Sequence, residues 1–166
     1  MTSAAETAAF LGGTRLFDKV DQSALTALAA RMREQTLRNG QVLFRQGAEG
    51  HEMFIVRRGS VVISKPVTGN VEQILARYGP GDFFGEMSLF DRSPRSASVQ
   101  AETESMLLVL DRESLGRLTQ DDPRAAAAFF HALVLILIER LRASGELVAE
   151  ITRWGLEATG LDVDAR

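Results

Sequence analysis

The sequence contains no cysteine. Disulfides, thiolate catalysis and cysteine-ligated metal or iron–sulfur centres are therefore excluded. Histidine is almost as scarce. His51 lies in a glycine-flanked loop and reads as solvated, and His131, in an apolar helix, reads as a core or interface residue. A zinc or haem site would need more ligands at suitable spacing. Ser88 has no histidine base at a convincing position, and no nucleophile–base–acid set is present, so no enzyme and no cofactor are expected. The longest purely apolar run, Ala132 to Ile138, falls well short of the ~20 residues that span a bilayer. Met1 to Ala9 is polar and alanine-rich and lacks the basic-then-apolar pattern of a secretory signal. An excess of positive charge is missing as well: the formal net charge is −3, which argues against a nucleic-acid or anionic-membrane surface. The expectation is a cytoplasmic protein with no membrane partner.

What remains is 166 residues, 45% of them apolar, enough for one domain or a domain with a helical extension. Residues 1–14 read as a flexible N-terminal lead ending in Gly12-Gly13. Asp21 to about Met32 reads as a helix, capped by Asp21 or Ser23 and lined by Leu25, Leu28 and Met32. From Thr36 to about Leu110 the period changes. Short β-rich runs at 42–44, 53–56, 60–64, 72–78, 96–100 and 106–110 are separated by turns at Gly40, Gly47, Gly50, Gly59, Gly69-Asn70 and Gly79-Pro80-Gly81. That spacing predicts an antiparallel sandwich or barrel. A short helix follows over 112–118. Asp121-Asp122-Pro123 then opens a long helix, running from Arg124 to about Trp154 with a weak point at Gly145.

One continuous run carries chemistry: Phe84-Gly85-Glu86-Met87-Ser88-Leu89-Phe90-Asp91-Arg92-Ser93-Pro94-Arg95-Ser96-Ala97-Ser98-Val99. Gly85 lets the backbone approach a ligand closely, and the residues after it can start a short helix whose free N–H groups suit an anion. Ionised Glu86 only accepts hydrogen bonds and so calls for a hydroxyl donor. Arg95 offers a planar fork for a pair of phosphate oxygens, Ser96 adds a hydroxyl, and Pro94 fixes the backbone before the arginine. A sugar hydroxyl beside a phosphate is a nucleotide. The plain alternative is a surface salt bridge between Glu86 and Arg95.

This run resembles the phosphate-binding cassette of the cyclic-nucleotide-binding domain family, shared by bacterial catabolite activators, regulatory subunits of cyclic-AMP-dependent kinase and cyclic-nucleotide-gated channels. Leu16-Phe17-Asp18-Lys19-Val20 with Leu25, Leu28 and Ala29 is similar to the family's opening helix. Asn39 to Gly47 resembles its first hairpin, Phe54 to Val61 its central strand and turn, and Gly79 to Glu86 its approach to the cassette. The resemblance covers about Leu16 to about Arg142. It implies an α+β fold: an antiparallel β-roll (jelly roll) with a short N-terminal helix over 15–120, a long C-terminal dimerisation helix over 121–155 and a tail over 156–166. It implies that Glu86 accepts a hydrogen bond from the ribose 2′-hydroxyl, that Arg95 pairs with the cyclic phosphate, and that Ser96 bonds the phosphate or the base. Backbone N–H groups near Gly85, Met87, Ser88 and Ala97 would complete the anion site. The implied ligand is cyclic AMP rather than cyclic GMP, although Ser96 is compatible with both. Ile63, Leu75 and Tyr78 read as an apolar wall around the base or as ordinary β-core packing.

Leu133 to Ile138 is apolar all round, so it should be buried on two sides. Val134, Leu137, Leu141, Ser144, Val148 and Ile151 follow the three-and-four spacing of a coiled-coil seam. A parallel homodimer through this helix is expected, the alternative being an intramolecular core helix. Ser144 reads as a polar register-setter or, by the resemblance, as a contact to the base across the dimer; Trp154 caps the base or closes the helix pair. Activator relatives continue into a helix-turn-helix domain, and the dozen residues after Trp154, which include Glu157, Asp162 and Asp164, cannot supply one. No direct DNA binding is expected. The reading is a stand-alone receptor that passes a ligand-dependent helix movement to a protein effector, itself unidentified. The alternatives are a structural dimerisation module with an unused pocket, the sensor part of a transcription regulator, and a pocket for another anion such as a cyclic dinucleotide.

Overall fold

The computed structural model describes residues 2–68 and 71–158. The chain divides into two compact units, Met1–Phe129 and Phe130–Arg166. The first unit starts with α1 (Ala4–Gly12) and α2 (Gln22–Ala29), continues through eight strands, and ends with α3 (Arg112–Asp121) and the opening turns of α4 (Pro123–Ala158). No described helix is long and apolar enough to cross a membrane.

The flexible lead expected over 1–14 is largely a helix. Ser3 and Glu6 form a capping box: the Ser3 hydroxyl accepts the Glu6 N–H, and the Glu6 carboxylate accepts the Ser3 N–H. The Ser3 N–H and, after it, the Ser3 hydroxyl donate to the Glu6 carboxylate and hold its pKa below the usual value. Thr7, Ala8 and Leu11 are buried along one face, and a Cβ on Gly12 would come within 3.2 Å of Leu25 on α2. The double glycine that reads as a breaker thus ends a helix and lets two helices pack closely. Arg57 fastens α1 to the sheet, donating to Thr7 Oγ1 at 3.2 Å and Glu34 Oε1 at 3.4 Å while lying over the Phe10 ring.

The strands are β1 (Arg33–Leu37), β2 (Val42–Phe44), β3 (Glu52–Arg58), β4 (Val61–Thr68), β5 (Val71–Tyr78), β6 (Phe83–Phe84), β7 (Ser98–Ala101) and β8 (Ser105–Asp111). They form two four-stranded antiparallel sheets, ordered β1-β8-β3-β6 and β2-β7-β4-β5. Leu37, Phe54, Val56, Phe84, Leu107 and Val109 from the first sheet meet Val61, Val99 and Ala101 from the second in one buried cluster. Each large side chain closed off there contributes ~1.5–3 kcal/mol. The central strands β3 and β8 are buried on both faces, since Met53, Ile55, Leu108 and Leu110 are equally closed to solvent. Both therefore read as unbroken apolar runs instead of alternating ones. The turn expected at Gly69-Asn70 lies outside the described residues.

Gly59 joins β3 to β4 at φ +83°, where a Cβ would stand 2.4 Å from the Glu104 carbonyl oxygen and 2.7 Å from Ser105 Cα. Those contacts are backbone and cannot swing aside. Left-handed strain and overpacking each cost ~1–3 kcal/mol, so Gly59→Ala is expected to lower stability by about 3 kcal/mol in a denaturant titration.

Asp111 caps α3 by accepting the Ser114 N–H at 2.7 Å. Asp122 accepts the Ala125 N–H ahead of α4, and Phe129 packs on Phe17 with ring centres 6.2 Å apart. In the second unit, α4 runs through Gly145 without interruption as far as Ala158, the last of the described residues. The remainder of the tail expected over 156–166 lies outside the described residues. Leu133 is buried, but Val134, Leu135 and Ile138 are exposed, as are Leu141, Val148, Ile151 and Trp154. Of the run expected to be covered on two sides, Val134, Leu135 and Ile138 are not covered within this chain.

Candidate functional site

The site is built where the β2–β3 loop, the turn after β6 and the strand leading into β7 converge on Arg95. The turn starts at Gly85, whose φ of +76° is the left-handed value glycine tolerates without strain. The chain reverses there into a short 3-10 helix, Glu86–Leu89. A Cβ on Gly85 would lie 2.8 Å from Arg95 Nη1 and 3.0 Å from the Glu52 carbonyl oxygen, so close approach as well as φ requires glycine. The Ser88 N–H donates to Gly85 O at 3.2 Å. Of the amides expected to face an anion, that of Ser88 is thus already engaged within the turn, and this residue presents its hydroxyl to the arginine instead.

Arg95 is buried, with 5% of its surface exposed. Its main chain is fixed to the β2–β3 loop by two 2.8 Å bonds, Arg95 N–H to Ala48 O and Gly47 N–H to Arg95 O. Its Nη1 donates to Glu52 O at 2.9 Å and Ser88 Oγ at 3.1 Å. The guanidinium carbon sits 4.2 Å from the Phe44 ring centre and 5.5 Å from that of Phe54. Each such contact, out of water, contributes ~1–2 kcal/mol. Glu52 Oε2 lies 3.9 Å from Nη2, an ion pair too long for a hydrogen bond; its other oxygen is held by Arg33. The Nε–H, although buried, has no hydrogen-bond partner among the described residues. Burial pushes the Arg95 pKa down, and Glu52 opposes that shift. The result is a desolvated cation with one donor unsatisfied, on the edge where Nε and Nη2 present parallel N–H bonds to an oxyanion.

Glu86, the first residue of the turn, is buried, with 8% of its surface exposed. A salt bridge on the surface is not what the structure shows, since neither Glu86 nor Arg95 is exposed, and Glu52 also brings a carboxylate to the guanidinium. Ser88 and Ala97 are buried, whereas Met87 and Ser96 are exposed. Ile63 is half-buried and packs on the inter-sheet core. Leu75 is about half exposed and falls where the β4–β5 register slips, between the pairs Ile63–Ala76 and Ser64–Ile74. Tyr78 stacks on Phe84 at 6.1 Å. Ser144 belongs to the second unit, where its exposed hydroxyl donates to Arg140 O at 3.0 Å. Among the described residues no group of three or more His, Asp or Glu is placed to hold a metal ion.

Four residues of the site escape a reading of the sequence. Phe44 and Glu52 look like ordinary strand positions, yet they flank the guanidinium. Gly50 reads as a turn signal, but its value is space: a Cβ there would be 2.1 Å from Arg95 Nε. Arg112, at the start of α3, reaches back to the carbonyls of Ser88 and Leu89 at 2.6 and 3.1 Å and also to that of Asp91. No local signal marks any of them, because each acts on a segment distant in sequence.

Comparison with known proteins agrees with this geometry. The family model for the cyclic nucleotide-binding domain matches residues 34–122. A CRP-like cAMP-activated global transcriptional regulator of Mycobacterium tuberculosis is 30% identical over 82% of this chain, which spans 59% of that protein. The N-terminal domain of a transcriptional regulator from Streptomyces coelicolor superposes with a TM-score of 0.71 at 33% identity, covering 84% of this chain and 94% of that one. The regulatory domain of Toxoplasma gondii PKA, solved with cAMP, gives 0.65 at 29% identity, covering 70% and 45%. These relatives are regulators and not catalysts. With its two antiparallel sheets, its glycine-initiated turn and its buried arginine, the chain belongs to the cyclic nucleotide-binding domain family.

Proposed function

We propose that this chain is a cytoplasmic receptor for a 3′,5′-cyclic nucleotide, cyclic AMP rather than cyclic GMP, and that it signals to a protein partner through a ligand-dependent movement of α4. The observation that carries the reading is the Nε–H of Arg95, charged, buried and without an acceptor. A cyclic phosphate supplies the missing acceptor and the missing charge. Glu86 takes the ribose 2′-hydroxyl, Ser96 bonds the phosphate or the base, and Gly85, Met87, Ser88 and Ala97 shape the anion site. Ile63, Leu75 and Ser144 are assigned to the base, Ser144 from the partner helix of a parallel homodimer along the exposed apolar seam of α4. Binding favours one of two helix positions already present in the ensemble. The preference for cyclic AMP is supported by relatives named for that ligand.

A second reading is favoured by one specific observation. The chain covers 59% of the Mycobacterium regulator and almost all of an isolated N-terminal regulator domain, so the same receptor would serve as the sensor part of a transcription regulator.

Calorimetric titration of the protein, refolded free of nucleotide, with cyclic AMP and cyclic GMP tests the proposal. Micromolar or tighter binding is expected, tighter for cyclic AMP. Absence of binding to both by a folded sample refutes the receptor reading and leaves a dimerisation module or another anionic effector.

A further inference from the structure

Arg112 has no part in the ligand contacts assigned above, yet one edge of its guanidinium, Nε and Nη2, is spent on the anion-binding turn and the residues just after it. Its Nε donates to Leu89 O at 3.1 Å and its Nη2 to Ser88 O at 2.6 Å and to Asp91 O. Its own N–H donates to His51 O at 2.9 Å, one residue before Glu52, whose carbonyl holds Arg95. Ser88 is gripped at both ends: its hydroxyl accepts from Arg95 Nη1 and its carbonyl accepts from Arg112 Nη2. A four-residue 3-10 turn makes few bonds of its own and has poor hydrogen-bond geometry, so charge-assisted bonds to its last two carbonyls and to that of Asp91 just beyond are a large fraction of what fixes it.

We infer that Arg112 is a positioning residue that sets the Glu86–Leu89 turn against Arg95 and ties that turn to the first residue of α3, so that Arg95, Ser88 and Arg112 move as one unit. The inference rests on the receptor reading for its effect on binding, but not for its effect on the turn. Lysine keeps the charge and reaches part of the carbonyl set. Glutamine keeps much of the stem and offers one weak neutral donor. Loss of the grip therefore frees the turn without removing any group from the ligand's side of it.

The test combines amide hydrogen exchange with cyclic AMP titration on the wild type, Arg112→Lys and Arg112→Gln, at a temperature where all three are folded by circular dichroism. In Arg112→Gln the amides of Ser88, Phe90 and Asp91, which close the turn, are expected to exchange at least tenfold faster while those of β3 and β8 are unchanged. The cyclic AMP Kd is expected to weaken at least tenfold. Arg112→Lys should recover part of both effects. Turn exchange within twofold of wild type in Arg112→Gln overturns the inference whatever the binding result. So does exchange that quickens equally in β3 and β8, which marks a merely structural residue. Should the wild type fail to bind cyclic AMP while the turn still loosens selectively, the receptor reading fails and the positioning role stands.

Discussion

Replacing Arg95 with methionine is expected to weaken cyclic nucleotide binding by at least 10²-fold while leaving the melting temperature of the nucleotide-free protein unchanged or slightly raised. The two halves have separate causes. A phosphate held by a guanidinium edge gains two charge-assisted hydrogen bonds, each contributing ~1.5–3 kcal/mol, and ~1.4 kcal/mol is a factor of ten in affinity. Losing both bonds removes roughly 3–6 kcal/mol from binding. On the stability side, the native side chain is a desolvated cation with an unsatisfied donor. Methionine fills similar volume against Phe44 and Phe54 and makes its own contacts to their rings. The change strands little charge, because Glu52 keeps Arg33 as a partner. Replacing a buried charge by a well-packed apolar group is often neutral or stabilising when no counter-charge is left alone. Thermal melts with and without cyclic AMP, run beside a calorimetric titration, read both halves. A Met variant that binds as wild type does would remove Arg95 from the site, and one that fails to fold would show that the guanidinium holds the fold together.

That separation explains why the site was so legible in the sequence and its surroundings were not. The run from Gly85 to Ala97 carries its chemistry in consecutive residues, so each type constrains the next: a left-handed glycine, a buried carboxylate, an arginine fixed after a proline. The strands were legible for a related reason. Met53 to Val56 lies between turns at Gly50 and Gly59 and Met106 to Leu110 between polar segments, and the structure places both as central strands buried on both faces. The misread segment was α1. Gly12-Gly13 reads as the end of a free lead, whereas Ser3 and Glu6, three apart, specify a helix start by a capping box. β1 is absent from the sequence reading for a different reason: Arg33, Glu34 and Gln35 carry no alternation, and only pairing with Val109, Leu108 and Leu107 makes them a strand. Gly50, Glu52 and Arg112 are long-range partners, and a pattern confined to a window cannot show what a residue meets 20 to 45 positions away.

Gly50 makes the sharper experiment for that reason. Its φ is not in the left-handed range, so alanine there meets no backbone penalty. A Cβ would nonetheless stand 2.1, 2.4 and 2.5 Å from Nε, Cζ and Nη2 of Arg95, where carbon and nitrogen need ~3.5 Å. The guanidinium cannot retreat toward Phe44, whose ring is already 4.2 Å from it, nor along its main chain, which Ala48 and Gly47 pin. It must rotate about its side-chain torsions, breaking the bonds to Glu52 O and Ser88 Oγ. Overpacking of this kind costs ~1–3 kcal/mol, and the displaced fork no longer faces the anion. Gly50→Ala is therefore expected to lower stability by about 2 kcal/mol and to weaken cyclic AMP at least tenfold, although every residue assigned to the ligand is still present. Gly47→Ala is the contrast. It sits at φ +84° with nothing within 4 Å of its Cβ, so left-handed strain of ~1–2 kcal/mol should appear in the melt with little change in affinity per folded molecule. Equal affinity losses in the two variants would mean that loop strain, and not displacement of Arg95, governs binding.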